Sequence, residues 1–349
     1  MKNVVLVFLI TISFIGCNER EDYLPTNFAY EITPIEITED VNVGAYYYNI
    51  SEEYWSENYS YTPVLGEYNS LDSNIMAQHR NWADLGGIDF FIFNWNGNEE
   101  DEELISRFIN GRSNEVRMVI NYSTSHLGTS NSSPLEGEKL STMISEFEAI
   151  ASTHFEKDYY FKINGQPVVL FSPLNLSSSR SESIDFNLVV PQLKSALSEI
   201  GISLYIIGEI TSGWLPPQRH SEAIQTVDAV TLKDWATSNY DRSFFFPSYI
   251  DQNWKNWTDS TSVWGVDFTP VIFPGYDDKE FNSSSSLYNM GQNSEFLIDL
   301  SNVAKGRMSD ERIVIFNSWN DFQLGNTIEP TEEYGTTYLE ILKEQFKTN

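Results

Sequence analysis

A chain of 349 residues with 50 acidic against 21 basic side chains, formal charge −29, repels nucleic acid and anionic lipid and is a poor partner for either. Its single cysteine excludes an intrachain disulfide and a thiolate metal cluster. Its length is large for one domain but ordinary for a decorated α/β barrel, and its acidity suits a salty extracellular setting.

Residues 1–16 read as a signal peptide rather than as part of a fold. Lys2 supplies the positive start, and Val4 to Ile15 is an apolar run shorter than the ~20 residues that span a bilayer. Phe14-Ile15-Gly16-Cys17 resembles a bacterial lipobox, which makes Cys17 the expected lipidation site; the alternative is an ordinary signal with an incidental cysteine. The acidic stretch Asn18 to Asp22 resembles export signals that place lipoproteins on the outer face of the outer membrane. Residues 17–40 read as a flexible tether, since Pro25 and Pro34 break any helix and no apolar period is sustained.

Residues 41–349 alternate apolar runs with amphipathic stretches about eight times, which predicts βα units and a parallel sheet. The predicted elements are strand Val41 to Tyr48, helix Ser73 to Leu85 capped by Asp72 or Ser73, strand Ile88 to Phe93 and helix Glu100 to Arg112. Strand Val116 to Tyr122 and helix Gly137 to His154 follow. Tyr159 to Phe171 reads as a hairpin turned at Asn164-Gly165, whose second arm, Pro167 to Phe171, is the fourth barrel strand. Helix Leu188 to Ile200, strands Ser203 to Ile210, Ala229 to Leu232, Phe268 to Phe273 and Ile313 to Phe316, and helix Tyr334 to Phe346 complete the chain. The fold class is a single-domain (β/α)8 barrel.

In such barrels chemistry sits past the C-terminal ends of the strands. Ile313 to Phe316 runs directly into Trp319, Asn320 and Asp321, which offer a stacking face, an amide and a carboxylate, the chemistry of a sugar site. Tyr46 and Tyr48 face one side of the first strand and Tyr47 the other. Trp95, Tyr122, Trp235, Tyr276 and Trp319 follow further strands, so six strand ends carry an aromatic and together read as a cleft for stacking sugars. His126 lies past the third strand as a binding or loop residue. Most glycosidases need two carboxyl groups roughly 5 to 9 Å apart. Asp321 is the first candidate, with Glu209 and Asp234 as candidate acids and Asp278 in the loop after the seventh strand. Glu329, ahead of Pro330, reads as a capping or dipole residue.

Four segments in order, Tyr159 to Val169, Val227 to Val230, Phe273 to Asp278 and Phe316 to Pro330, resemble glycoside hydrolase family 99, the endo-α-mannosidase family, and its looser family 71 and WbsX-type relatives. The last corresponds to that family's F-N-E-W-H-E-G-T-Q-I-E-P, with Asn320, Gly325, Ile328, Glu329 and Pro330 in register. On this reading the family's glutamates fall on Asp321 and Leu324. The resemblance implies that Asp321 is a base acting on the sugar's own 2-hydroxyl, while Leu324 can carry no proton. Two functions are therefore expected: a cofactor-free glycoside hydrolase degrading an extracellular polysaccharide, or a surface lipoprotein that binds glycan and has lost the acid. Either would touch the membrane through its lipid only and work beside outer-membrane glycan-uptake proteins.

Overall fold

The computed structural model describes residues 30–113, 115–130, 132–174, 186–210, 215–216, 218–232, 246–285 and 289–348. Its centre is a ring of parallel strands: β1 (Asn42–Tyr47), β2 (Phe90–Trp95), β3 (Arg117–Ser123), β5 (Gln166–Leu174), β6 (Tyr205–Ile210), β7 (Ala229–Thr231), β8 (Asp267–Thr269), β9 (Val271–Ile272) and β10 (Ile313–Phe316). β4 (Lys162–Ile163) is the short antiparallel arm of the hairpin turned at Asn164, which adopts φ 49° there. β8 and β9 are two pieces of one barrel strand parted by Pro270, which has no N–H to give the ladder. The first piece pairs with β7 and the second with β10, and β10 pairs with β1, so the ring of eight closes. This is the expected (β/α)8 barrel.

The strands are apolar on both faces because helices cover the outside and side chains fill the inside. At the base Phe90 turns inward and stacks on Phe161 with ring centroids 4.3 Å apart. Gly44 makes room for it: a Cβ there would lie 2.3 Å from the Phe90 ring.

The outer layer comprises α1 (Ser73–Leu85), α2 (Glu99–Ile109), α3 (Glu138–Ile150), α4 (Phe186–Glu199), the short α5 (Ser221–Ile224), α6 (Pro247–Trp264), α7 (Ser294–Arg307) and α8 (Thr337–Phe346). Asp72 caps α1 and Asn98 caps α2, whose first turn holds Glu99, Glu100, Asp101 and Glu102 against the positive helix end. α5, α6 and α7 are not among the elements expected from the sequence, although Asn293 caps α7 and Phe296, Leu297, Leu300 and Val303 are buried along it at helical spacing. α6 is rich in Asn, Ser and Thr, yet it buries Ile250, Trp254, Trp257 and Thr261 at helical spacing.

Residues 30–40, expected as tether, lie in irregular backbone packed on the barrel wall. The Tyr30 hydroxyl donates to Asp251 at 2.5 Å, the Ile35 amide to Asn302 at 2.9 Å, and Lys305 to the Ile35 carbonyl at 2.7 Å. No helix among the described residues is long and apolar enough to cross a membrane. The signal segment and Cys17 lie outside the described residues.

Candidate active site

Strand pleating decides which side chains enter the barrel. Tyr46 points inward from β1 and its hydroxyl donates across the barrel to Glu209 Oε1 at the end of β6. Glu209 is 7% exposed, and its second carboxylate oxygen has no partner among the described residues. Glu209 stands level with Thr231 of β7, whose hydroxyl donates to the Thr269 carbonyl at 2.9 Å. On β2 and β3, Asn94 is level with Asn121, and the Asn121 amide donates to Asn94 Oδ1 at 2.9 Å. Higher still, the Tyr48 hydroxyl donates to Asn317 Oδ1 at 3.2 Å. The upper barrel is therefore a polar mouth with one oriented carboxylate.

Asp321 sits on the loop after β10, partly exposed. Its Oδ1 accepts from the Leu324 amide at 3.2 Å and from the Tyr54 hydroxyl at 3.4 Å, while its own amide donates to Ser318 Oγ at 2.8 Å. Burial pushes the Tyr54 phenol well above its ordinary range, aided by the Asp321 charge, so it remains a donor. Ser318 is wholly buried, and Leu324 packs against the core.

Several expected sugar platforms face the wrong way. Trp319 is 0% exposed, wedged between Phe91 of β2 (5.1 Å) and His79 of α1 (5.6 Å), and offers no face to a ligand. Trp95 and Tyr122 occupy outward positions of β2 and β3. They stack at 5.2 Å beneath α2 and α3, with Trp95 Nε1 donating to Glu102 at 2.7 Å and the Tyr122 hydroxyl to Glu146. His126 joins that outer cluster, its Nε2 3.1 Å from Glu146. Alternation gives the reason: Trp95 is one residue past the inward Asn94, and Tyr122 one past the inward Asn121.

Asn320 is wholly buried and holds Tyr48 rather than sugar. Its Oδ1 accepts from the Tyr48 amide at 2.8 Å, and its Nδ2 donates to the Tyr48 carbonyl at 3.0 Å and to the Tyr68 hydroxyl oxygen at 3.3 Å. Tyr68 in turn donates to Glu329 at 2.6 Å. Glu329 Oε1 lies 3.2 Å from His79 Nε2, close but off the line of a hydrogen bond, and His79 Nδ1 meets the Tyr47 hydroxyl at 2.8 Å. Glu329 is thus a buried network member and not a helix cap, the position before α8 being Thr336.

Tyr276 and Asp278, past β9, are almost inaccessible and bond to each other at 3.3 Å, with Asn289 donating to Asp278 at 3.1 Å. Asp234 and Trp235 lie outside the described residues. Among the described residues no three His, Cys, Asp or Glu side chains converge as a metal site. Asn94, Asn121, Thr231 and Asn317 were missed by sequence reasoning, although polar residues at the ends of apolar strands are the signal that marks them.

The family model described as "Glycosyltransferase WbsX" matches residues 60–342. A solved structure titled "Glycoside hydrolase-like protein" is 27% identical over 93% of this chain and 99% of its own, with a TM-score of 0.81. The GH99 endo-alpha-mannosidase from Bacteroides thetaiotaomicron, solved in complex with bis-tris-propane, is 16% identical over 88% and 97%, TM-score 0.64. An endo-laminarinase from Formosa is 11% identical over 82% and 81%, TM-score 0.50. The last two likenesses establish the fold alone. No match to a curated protein sequence was found.

Proposed function

The chain belongs to the WbsX family, whose description names a glycosyltransferase, and from that premise we propose that it is a glycosidase cleaving a polysaccharide at the barrel mouth. One observation carries the reading: Glu209, at the end of β6 inside the barrel, is held by Tyr46 through one oxygen, and its other oxygen has no partner among the described residues. A fixed carboxylate beside a glycosidic bond is what stabilises or captures the oxocarbenium-like carbon as the bond breaks. Asp321, restrained by Tyr54 and the Leu324 amide, is the second carboxyl, and Tyr48, Asn317 and Thr231 supply hydrogen bonds to hydroxyls. Transferase and hydrolase share the first half of this chemistry and differ in whether a sugar hydroxyl or water accepts the glycosyl group. Leu324, which can carry no proton where the resemblance places a family carboxyl, favours a second reading, a glycan-binding barrel without turnover.

The cellular part of the proposal is an outer-membrane lipoprotein anchored through Cys17, facing outward and working with glycan-uptake proteins. The lipobox-like Phe14 to Cys17 supports it. Cys17→Ser should then release the protein from the membrane fraction, and a variant that stays bound would refute the anchor. For the activity, residues 18–349 are incubated with a polysaccharide panel and the products separated. New reducing ends support the hydrolase and longer oligosaccharides the transferase. Gel retardation without products supports the binder.

A further inference from the structure

Asn121 is 2% exposed, yet its Oδ1 has no hydrogen-bond partner among the described residues. A buried polar atom left unpaired costs stability, and it persists where a ligand or ordered water completes it. Its neighbour Asn94 is half-buried, and its NH2 group likewise has no partner among the described residues. The pair therefore leaves one acceptor and one donor side by side on the inner face of β2 and β3, on the same ring of strands as Glu209 of β6. Exchanging O and N in both amides leaves the same complement.

Resting on the glycosidase reading, we propose that Asn94 and Asn121 form a hydroxyl-reading subsite that selects a sugar ring unsubstituted at the position facing β2 and β3. A free hydroxyl donates to Asn121 and accepts from Asn94 at once. A sulfate ester or a carboxylate has no proton to give and leaves the buried acceptor unpaired, the kind of mismatch that sites built for hydrogen bonding reject most strongly. The subsite thus recognises a neutral polyhydroxylated ring at the floor, whatever substituents the rest of the polymer carries.

The test uses the full chain, purified in detergent, its Asn121→Leu variant, and affinity electrophoresis in gels holding neutral α-mannan, laminarin, xylan or galactan, each also after chemical O-sulfation. The wild type should be retained by a neutral polymer and at least tenfold less by its sulfated form, and Asn121→Leu should lose at least tenfold of the neutral retention. Its melting temperature without glycan should stay level or rise, because leucine fills the space without an unpaired acceptor. Neutral and sulfated polymers retained alike, variant retention within twofold of wild type, or a fall of several degrees in melting would each overturn the inference. A wild type that neither binds nor cleaves any polymer would instead end the functional reading, and the subsite with it.

Discussion

Two polar clusters flank the upper end of β1, and they obey opposite rules. Inside the barrel, Tyr46, Glu209, Asn94 and Asn121 make few bonds among themselves and leave a carboxylate oxygen and an amide unpaired. Behind the strand, Tyr47, His79, Glu329, Tyr68 and Asn320 form a chain of contacts with no exposed member. The second cluster also holds two atoms without a hydrogen bond among the described residues, Glu329 Oε1 and His79 Nε2, but these face each other at 3.2 Å and are sealed from solvent. That closed cluster is therefore architecture, while the open one lies at the strand ends of the barrel interior and is spare capacity for a ligand. The boundary between them is a single pleat: Tyr46 turns to one and Tyr47 to the other.

The comparison breaks if the closed cluster proves dispensable. Glu329→Ala should cost about 3–5 kcal/mol in denaturant unfolding, since it strands His79 and the Tyr68 hydroxyl in the interior. A loss below about 1 kcal/mol would mean the cluster is not a structural unit. Trp319→Ala should cost about 3 kcal/mol or more by opening a void against Phe91 and His79, with glycan affinity little changed. Retained stability with lost binding would return Trp319 to the sugar site.

That same tryptophan shows where sequence ceased to guide. The eightfold alternation of apolar and amphipathic runs was enough to read the barrel, and alternation along β1 already separated Tyr46 and Tyr48 from Tyr47. Extending the same period to β2 and β3 would have turned Trp95 and Tyr122 outward and exposed Asn94 and Asn121 as the inward residues. The segment after Phe316 has no period to extend, so the burial of Trp319 and Asn320 depends on tertiary packing that only the closed fold defines. α6 escaped notice for a related reason: Asn, Ser and Thr are weak helix formers, and its helical state rests on the tryptophans it buries.

Smaller effects sharpen the contrast. Tyr68→Phe removes one donor to a buried carboxylate and should cost about 1–3 kcal/mol, measured by the same unfolding assay. Tyr46→Phe, in the open cluster, should cost less than Tyr68→Phe because Glu209 can turn to water at the mouth. Equal losses at the two tyrosines would erase the distinction between a closed and an open network.

Glu209 is the residue on which cleavage at the barrel mouth depends most directly. With a polysaccharide that the wild type cleaves, initial rates and melting temperatures of the wild type, Glu209→Gln and Asp321→Asn are measured together. The account predicts a rate loss of about a hundredfold or more for Glu209→Gln, with glycan affinity kept and melting temperature within a few degrees of wild type. An Asp321→Asn loss of similar size would confirm the second carboxyl. A Glu209→Gln variant as active as the wild type would contradict the claim that the open cluster inside the barrel mouth is where the glycan is cleaved.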